Sequence, residues 1–128
     1  MAWVRPVTIW WKMYNYQKLD PAQVEFVAVG AVEDLPNGER LFVEIDEISL
    51  VVFKIAGQFF AIADLCSHDD GPLGDGDLEG YEIHCPRHGA VFDVRTGQVL
   101  AMPAVVDIPA YPVRVVEGQI EVGVPGEV

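Results

Sequence analysis

Cys66-Ser67-His68 and Cys85-Pro86-Arg87-His88-Gly89 are two short segments that contain both cysteines and two of the three histidines of this 128-residue chain. In an extended Cys-x-His segment the two side chains share a face, because residues two apart point the same way. The Cys-x-x-His pair, followed by a glycine, suits a tight turn that brings both side chains inward. The spacing predicts one metal centre with Cys66, His68, Cys85 and His88 as its ligands.

Two kinds of centre fit this ligand set. Glycines at positions 71, 74, 76, 80 and 89 let the backbone wrap closely around a bulky inorganic group and direct N–H groups at its sulfides. They favour a [2Fe–2S] cluster, one per chain, with two thiolates on one iron and two neutral imidazoles on the other. A structural zinc ion is the alternative, although zinc sites more often use Cys-x-x-Cys and His-x-x-x-His spacing.

The charge of the chain limits its partners. Eight basic and twenty acidic residues give a net charge of −12, which repels nucleic acid phosphates and anionic lipid headgroups. We therefore expect basic-surfaced protein partners, no nucleic acid and no membrane. No apolar run reaches the roughly eighteen residues of a membrane helix, and the run from Val7 to Trp11 is too short for a secretory signal. The sequence predicts a cytoplasmic protein.

Residues 24–128 are predicted to form a single all-β domain, because β-branched and aromatic residues alternate there with turn residues. Between its strands lies a loop-rich insert, about residues 65–103, that holds all four ligands. Residues 1–23 contain three tryptophans and are predicted to be a separate N-terminal arm, which docks, forms a dimer contact or precedes a true start at Met13. The predicted strands are 24–29, 41–45, 49–56, 59–63, 111–116 and 119–124, with turns at Asp34–Gly38, Gly57–Gln58 and Glu117–Gly118.

Residues 24–124 resemble the Rieske ferredoxins of bacterial multicomponent ring-hydroxylating dioxygenases. The resemblance implies a Rieske fold of three antiparallel sheets, with the ligand loops at one tip as a cluster-binding subdomain. It also implies a soluble carrier that takes single electrons from a flavin-dependent reductase and passes them to a terminal oxygenase. The segments that carry it are Glu33–Gly38, Cys66–His68, Cys85–Gly97 and Pro103–Pro109.

The chain is predicted to be a carrier and not an enzyme. Oxygen chemistry at a mononuclear iron needs two further histidines and a carboxylate, and only His84 remains. The sequence also lacks the glycine-rich fingerprint of a dinucleotide site. Two alternatives stay open: a Rieske subunit permanently bound within another oxidoreductase, and a zinc-stabilised interaction module.

High-potential Rieske proteins of cytochrome complexes differ from this chain at four positions. By that resemblance they carry an extra cysteine in each loop, where this chain has Gly71 and Arg87. They also use a serine and a tyrosine hydroxyl as hydrogen-bond donors where this chain has Ala90 and Phe92. Because fewer hydrogen bonds stabilise the reduced cluster less, we expect a potential near the low end of the Rieske range.

Four features around the ligands give further predictions. His84 alternates with Cys85 and is expected to face solvent. The acidic residues between positions 69 and 79 form a solvated rim, since they lack the order of a calcium loop. Pro86 and Arg87 either contact a partner or only shape the turn. By resemblance, the stretch that begins at Pro103 folds over the cluster and limits water.

Overall fold

The computed structural model describes residues 24–67, 71–87 and 89–125. Within these ranges there are eleven strands and one short 3-10 turn at Val32–Asp34, and no helix reaches the length and apolarity of a membrane span. The predicted arm, residues 1–23, lies outside the described residues. The strands are β1 (Val24–Ala31), β2 (Arg40–Ile45), β3 (Ile48–Ile55), β4 (Gln58–Ala63), β5 (Leu78–Glu79), β6 (Glu82–His84), β7 (Val91–Asp93), β8 (Val99–Ala101), β9 (Ala110–Tyr111), β10 (Val113–Val116) and β11 (Gln119–Pro125).

The strands form three antiparallel sheets, as predicted. Their orders are β1-β11-β10, β2-β3-β4-β9 and β5-β6-β7-β8. The third sheet lies wholly inside the insert that holds the two cysteines. Apart from the alternation of His84 with Cys85, the sequence did not predict these strands, because strands of two or three residues are too short to display alternation.

The sheet β2-β3-β4-β9 is the middle layer of the molecule. Along β3, Val51 and Phe53 are buried with the side chains of the third sheet, whereas Leu50 and Val52 are buried with those of the sheet β1-β11-β10. Successive strand residues point to opposite faces, so an unbroken apolar run is what a strand covered on both sides requires. The run Leu50–Phe53 therefore joins the cysteine-bearing subdomain to the rest of the domain.

Two of the predicted turns can be compared residue by residue. Glu117 and Gly118 have φ angles of 50° and 79°, which confirms the turn between β10 and β11 as a two-residue hairpin loop with both φ angles positive. The predicted Gly57–Gln58 turn is wrong by one residue. The turn is formed by Ala56 and Gly57, with φ angles of 53° and 81°, because Gln58 already pairs with Ile55.

The predicted strand 111–116 is interrupted at Pro112. Tyr111 ends β9, which pairs with β4 in the middle sheet, and Val113 begins β10, which pairs with β11. Proline has no N–H group to donate to a ladder, so the chain changes sheets at this point. The Pro112 carbonyl accepts a hydrogen bond from the Gly123 amide at 2.8 Å.

Candidate metal centre

Each cysteine lies just beyond the end of a strand. Cys66 follows the end of β4 after two intervening residues, and Cys85 follows β6 directly. Neither forms a disulfide, they are 0% and 3% exposed respectively, and they belong to the same core cluster. His68 and His88 lie outside the described residues. Among the residues that the structure does describe, no three Cys, His, Asp or Glu side chains are grouped to hold a metal ion.

Each ligand loop is closed by the amide of its own cysteine. The Cys66 amide donates to the Gly71 carbonyl at 2.8 Å, and the Cys85 amide donates to the Ala90 carbonyl at 2.7 Å. In the second loop, Gly89 also donates to the Cys85 carbonyl at 3.1 Å, with a φ of 79° that glycine adopts at little cost. The tight turn predicted after Cys85 is therefore present.

Two charged residues that sequence reasoning missed fasten the segment after the first loop. The Asp64 carboxylate accepts hydrogen bonds from the amides of Leu73 and Gly74 at 2.8 and 2.6 Å. Arg40 donates to the carbonyl of Gly76 at 2.7 Å and to that of Gly74. Asp64 stands at a strand end just before a ligand loop, which was a usable signal, whereas nothing in the sequence indicated Arg40.

Gly76 is required by a close approach of two backbones. A Cβ atom at this position would lie 1.6 Å from the His84 carbonyl oxygen, a distance that no rotamer change relieves. The segment held by Asp64 and Arg40 thus lies directly against the end of β6, next to Cys85. Gly76 thus lets two backbone segments approach closely, whereas the predicted wrapping of the glycine-rich chain around a cluster stays a prediction.

Ala90 and Phe92 are both fully buried in the core cluster that contains the two cysteines. Neither side chain carries a hydrogen-bond donor. The expectation of a low potential, which rested on these two positions, stays a prediction.

The stretch beginning at Pro103 contacts the first ligand loop. The Ser67 hydroxyl donates to the Val106 carbonyl, and Ala104 is buried. Met102 and Val105 flank this contact and are 77% and 74% exposed. The segment therefore lies beside the loop of Cys66, with two apolar side chains directed outward, while its predicted role as a cover over the cluster stays a prediction.

The prediction that His84 simply faces solvent is wrong in part. Its side chain is 34% exposed, but its Nε2 atom is buried and has no hydrogen-bond partner among the described residues. That nitrogen lies 3.6 Å from a carboxylate oxygen of Glu79. The alternation along β6 correctly separates His84 from the buried Ile83 and Cys85, but the neighbouring strand end covers part of the ring.

The turn between β7 and β8 contains an ion pair that the sequence did not reveal. The buried Asp93 carboxylate accepts hydrogen bonds from the Arg95 amide at 2.8 Å and from its Nε and Nη2 atoms at 3.1 and 2.9 Å. The Arg95 guanidinium also lies 4.3 Å from the Tyr81 ring centroid. Burial pushes the pKa of Asp93 upward, but the hydrogen bonds and charge of Arg95 outweigh it, so this pKa lies below its ordinary value.

The donor chemistry of the described residues fits an iron–sulfur cluster. Thiolates are the soft ligands that iron–sulfur clusters use, and two unoxidised cysteines meet in one apolar core. The short amide contacts that close each loop fix the backbone around the two cysteines. The residues that the structure places are therefore compatible with the predicted cofactor.

Comparison with known proteins identifies the family. The profile described as "Rieske [2Fe-2S] domain" matches residues 25–112. The ferredoxin component of the p-cumate 2,3-dioxygenase system of Pseudomonas putida is 40% identical over 102 residues, which cover 78% of this chain and 86% of that protein.

Two solved structures share the fold. The ferredoxin of carbazole 1,9a-dioxygenase from Nocardioides aromaticivorans IC177 is 34% identical, with a TM-score of 0.72 over 76% of this chain and 95% of that one. A complex of reduced oxygenase and oxidised ferredoxin in carbazole 1,9a-dioxygenase contains a chain that is 32% identical, with a TM-score of 0.74 over 80% of this chain and 96% of that one. The chain therefore belongs to the Rieske [2Fe–2S] family, whose cofactor is the iron–sulfur cluster and not zinc.

Proposed function

We propose that this chain carries single electrons on a [2Fe–2S] cluster held by the thiolates of Cys66 and Cys85 and the imidazoles of His68 and His88. The observation that carries the ligand assignment is the pair of buried cysteines, which form no disulfide, close two loops and share one core cluster. When bound, the cluster supplies one-electron redox chemistry at iron. The protein supplies the ligands, their orientation and an apolar surrounding.

We further propose that a flavin-dependent reductase donates the electron and that a terminal oxygenase accepts it. Support comes from the p-cumate relative, which is named as the ferredoxin component of a dioxygenase system, and from the solved assembly of an oxygenase with a ferredoxin. The net charge of −12 favours basic surfaces on both partners. We place the protein in the cytoplasm, where free thiols stay reduced until they bind iron.

Anaerobic redox titration tests the carrier role. We expect one electron per chain to be taken up from dithionite and returned in full to ferricyanide over repeated cycles. A Cys85→Ser variant, purified in parallel, is expected to lack the cluster spectrum. Uptake of no electrons by the wild-type protein would contradict the proposal.

Purification of the untagged protein from its natural host separates the carrier from the bound-subunit alternative. A carrier is expected to elute alone, because it must exchange between a donor and an acceptor. Elution at a fixed ratio with a larger oxidoreductase would instead favour a permanently bound subunit.

A further inference from the structure

Arg87 crosses from the second ligand loop to the first. Its Nη1 atom donates to the Pro72 carbonyl at 2.6 Å. A Cβ atom on Gly71 would lie 2.8 Å from the Cζ and Nη2 atoms of Arg87 and 3.2 Å from its Nε atom. The guanidinium therefore lies flat on Gly71, in space that any larger residue would fill.

Arg87 contacts the first loop at Gly71, the residue that closes this loop. The Gly71 carbonyl accepts the hydrogen bond from the Cys66 amide, so a side chain seated on Gly71 and bonded to Pro72 touches the end of that loop. Arg87 itself lies between Cys85 and the proposed ligand His88. The contact thus joins the two loops, each of which is also closed by its own cysteine amide.

We propose that Arg87, seated on Gly71 and Pro72, is a positioning residue that clamps the two ligand loops together and thereby retains the cluster. The same side chain places a permanent positive charge beside the centre, since a guanidinium does not lose its proton in proteins. Reduction adds a negative charge, which this cation stabilises. The inference rests on the proposed ligand set and adds to it a residue that binds no iron.

The chain offers variants that separate the two effects. Arg87→Gln removes both the charge and the planar set of guanidinium N–H donors. Arg87→Lys keeps the charge but loses that planar set of donors. Gly71→Ala keeps the arginine but places a methyl group in the space that its guanidinium occupies. Arg114→Gln is the matched control, because it also removes an exposed arginine that donates a hydrogen bond, here to Glu121 at 2.7 Å in the sheet β1-β11-β10.

Cluster release is measured as the loss of visible absorbance of the oxidised holoprotein in excess chelator. We expect Arg87→Gln, Arg87→Lys and Gly71→Ala each to release the cluster about fivefold to thirtyfold faster, the range that corresponds to a loss of about 1 to 2 kcal/mol. The double variant Gly71→Ala/Arg87→Gln is expected to be no faster than Arg87→Gln, because both changes break one contact. Arg114→Gln is expected to match the wild type.

The midpoint potential gives a second readout. We expect Arg87→Gln to lower the equilibrium constant for one-electron reduction by a factor between about 2 and 10, tenfold being about 59 mV. Arg87→Lys should stay near the wild-type value, and the effect of Arg87→Gln should shrink in high salt. An unchanged midpoint potential in Arg87→Gln would contradict the claim that the positive charge of Arg87 stabilises the reduced cluster.

The clamp is overturned if Arg87→Lys and Gly71→Ala release the cluster at the wild-type rate, or if the effects of Gly71→Ala and Arg87→Gln multiply in the double variant. If Arg87→Gln fails to assemble, the other two variants decide. Failure of the proposed function is distinguishable, because it would appear in the wild-type protein as the absence of a cluster spectrum, whatever Arg87 does.

Discussion

At the residue scale, the spacing of the cysteines and histidines predicts a set of iron ligands, which stays a prediction, but it does not predict the residues that hold the loops. Cysteine and histidine residues at characteristic spacing indicate metal binding, because few other roles require that pattern. Asp64 and Arg40 both bind backbone groups of the segment after the first ligand loop. The position of Asp64 at a strand end was a usable signal, whereas the contacts of Arg40 leave no motif in the sequence. Only a folded structure brings Arg40 to the carbonyls of Gly74 and Gly76.

Asp64 provides the first prediction at this scale. Asp64→Ala leaves the amides of Leu73 and Gly74 without their acceptor, and we expect it to lower the free energy of unfolding by about 2 kcal/mol or more. Urea titration of the holoprotein measures this loss. Asp34→Ala, in the exposed 3-10 turn, is the control. Equal stability of the two variants would contradict the role assigned to Asp64.

Asp93 makes stability depend on pH. Because Arg95 holds its pKa below the ordinary value of 3.8 in the folded protein, the carboxylate stabilises the fold above that value. This stabilisation is lost as the pH falls through the lower folded pKa. We expect Asp93→Asn to be less stable than the wild type at pH 6, with the difference narrowing below pH 3.8. A difference that is constant from pH 6 to pH 3 in urea titrations would refute this linkage.

At the scale of elements, the long strands were predictable and the short ones were not. The strands β1 to β4 and β11 have at least six residues each, so their alternation or apolar runs are visible in the sequence. The strands β5 to β8 have two or three residues each and depend on pairing with one another. Their sheet follows from tertiary packing around Ile83 and Phe92, which alternation cannot predict.

Gly76 tests how closely two elements must approach. Gly76→Ala would place a methyl group against the His84 carbonyl, and we expect a loss of at least about 3 kcal/mol in unfolding free energy, or no folded holoprotein at all. Thermal unfolding followed by circular dichroism measures it. The control is Gly30→Ala in β1, where a Cβ atom makes only an ordinary 3.5 Å contact with Leu41. A mild effect at position 76 would show that the two segments separate easily.

At the scale of the whole molecule, the middle sheet β2-β3-β4-β9 joins the cysteine-bearing subdomain to the rest of the domain. Val51 and Phe53 pack toward the cysteines and Leu50 and Val52 pack away from them. The sequence predicted three sheets through resemblance, and the structure adds the reason why β3 lacks polar alternation. The acidic charge of −12 is a property of the whole surface and bears on partners, not on the fold.

The redox potential is the whole-molecule prediction. Because the side chains of Ala90 and Phe92 carry no hydrogen-bond donor in the core cluster of the cysteines, we expect a value near the low end of the Rieske range of about −150 to +300 mV. Spectroelectrochemical titration measures it. A potential above about +100 mV would contradict this reading of the two positions.

The central claim is a cluster with two cysteine and two histidine ligands. Its most direct test is low-temperature electron paramagnetic resonance of the dithionite-reduced protein, with pulsed detection of nitrogen hyperfine coupling. We predict a red-brown sample whose single mixed-valence signal shows coupling to two histidine nitrogens, and loss of that signal in His88→Ala. A colourless, silent sample with stoichiometric zinc, or a signal without nitrogen coupling, would contradict the account.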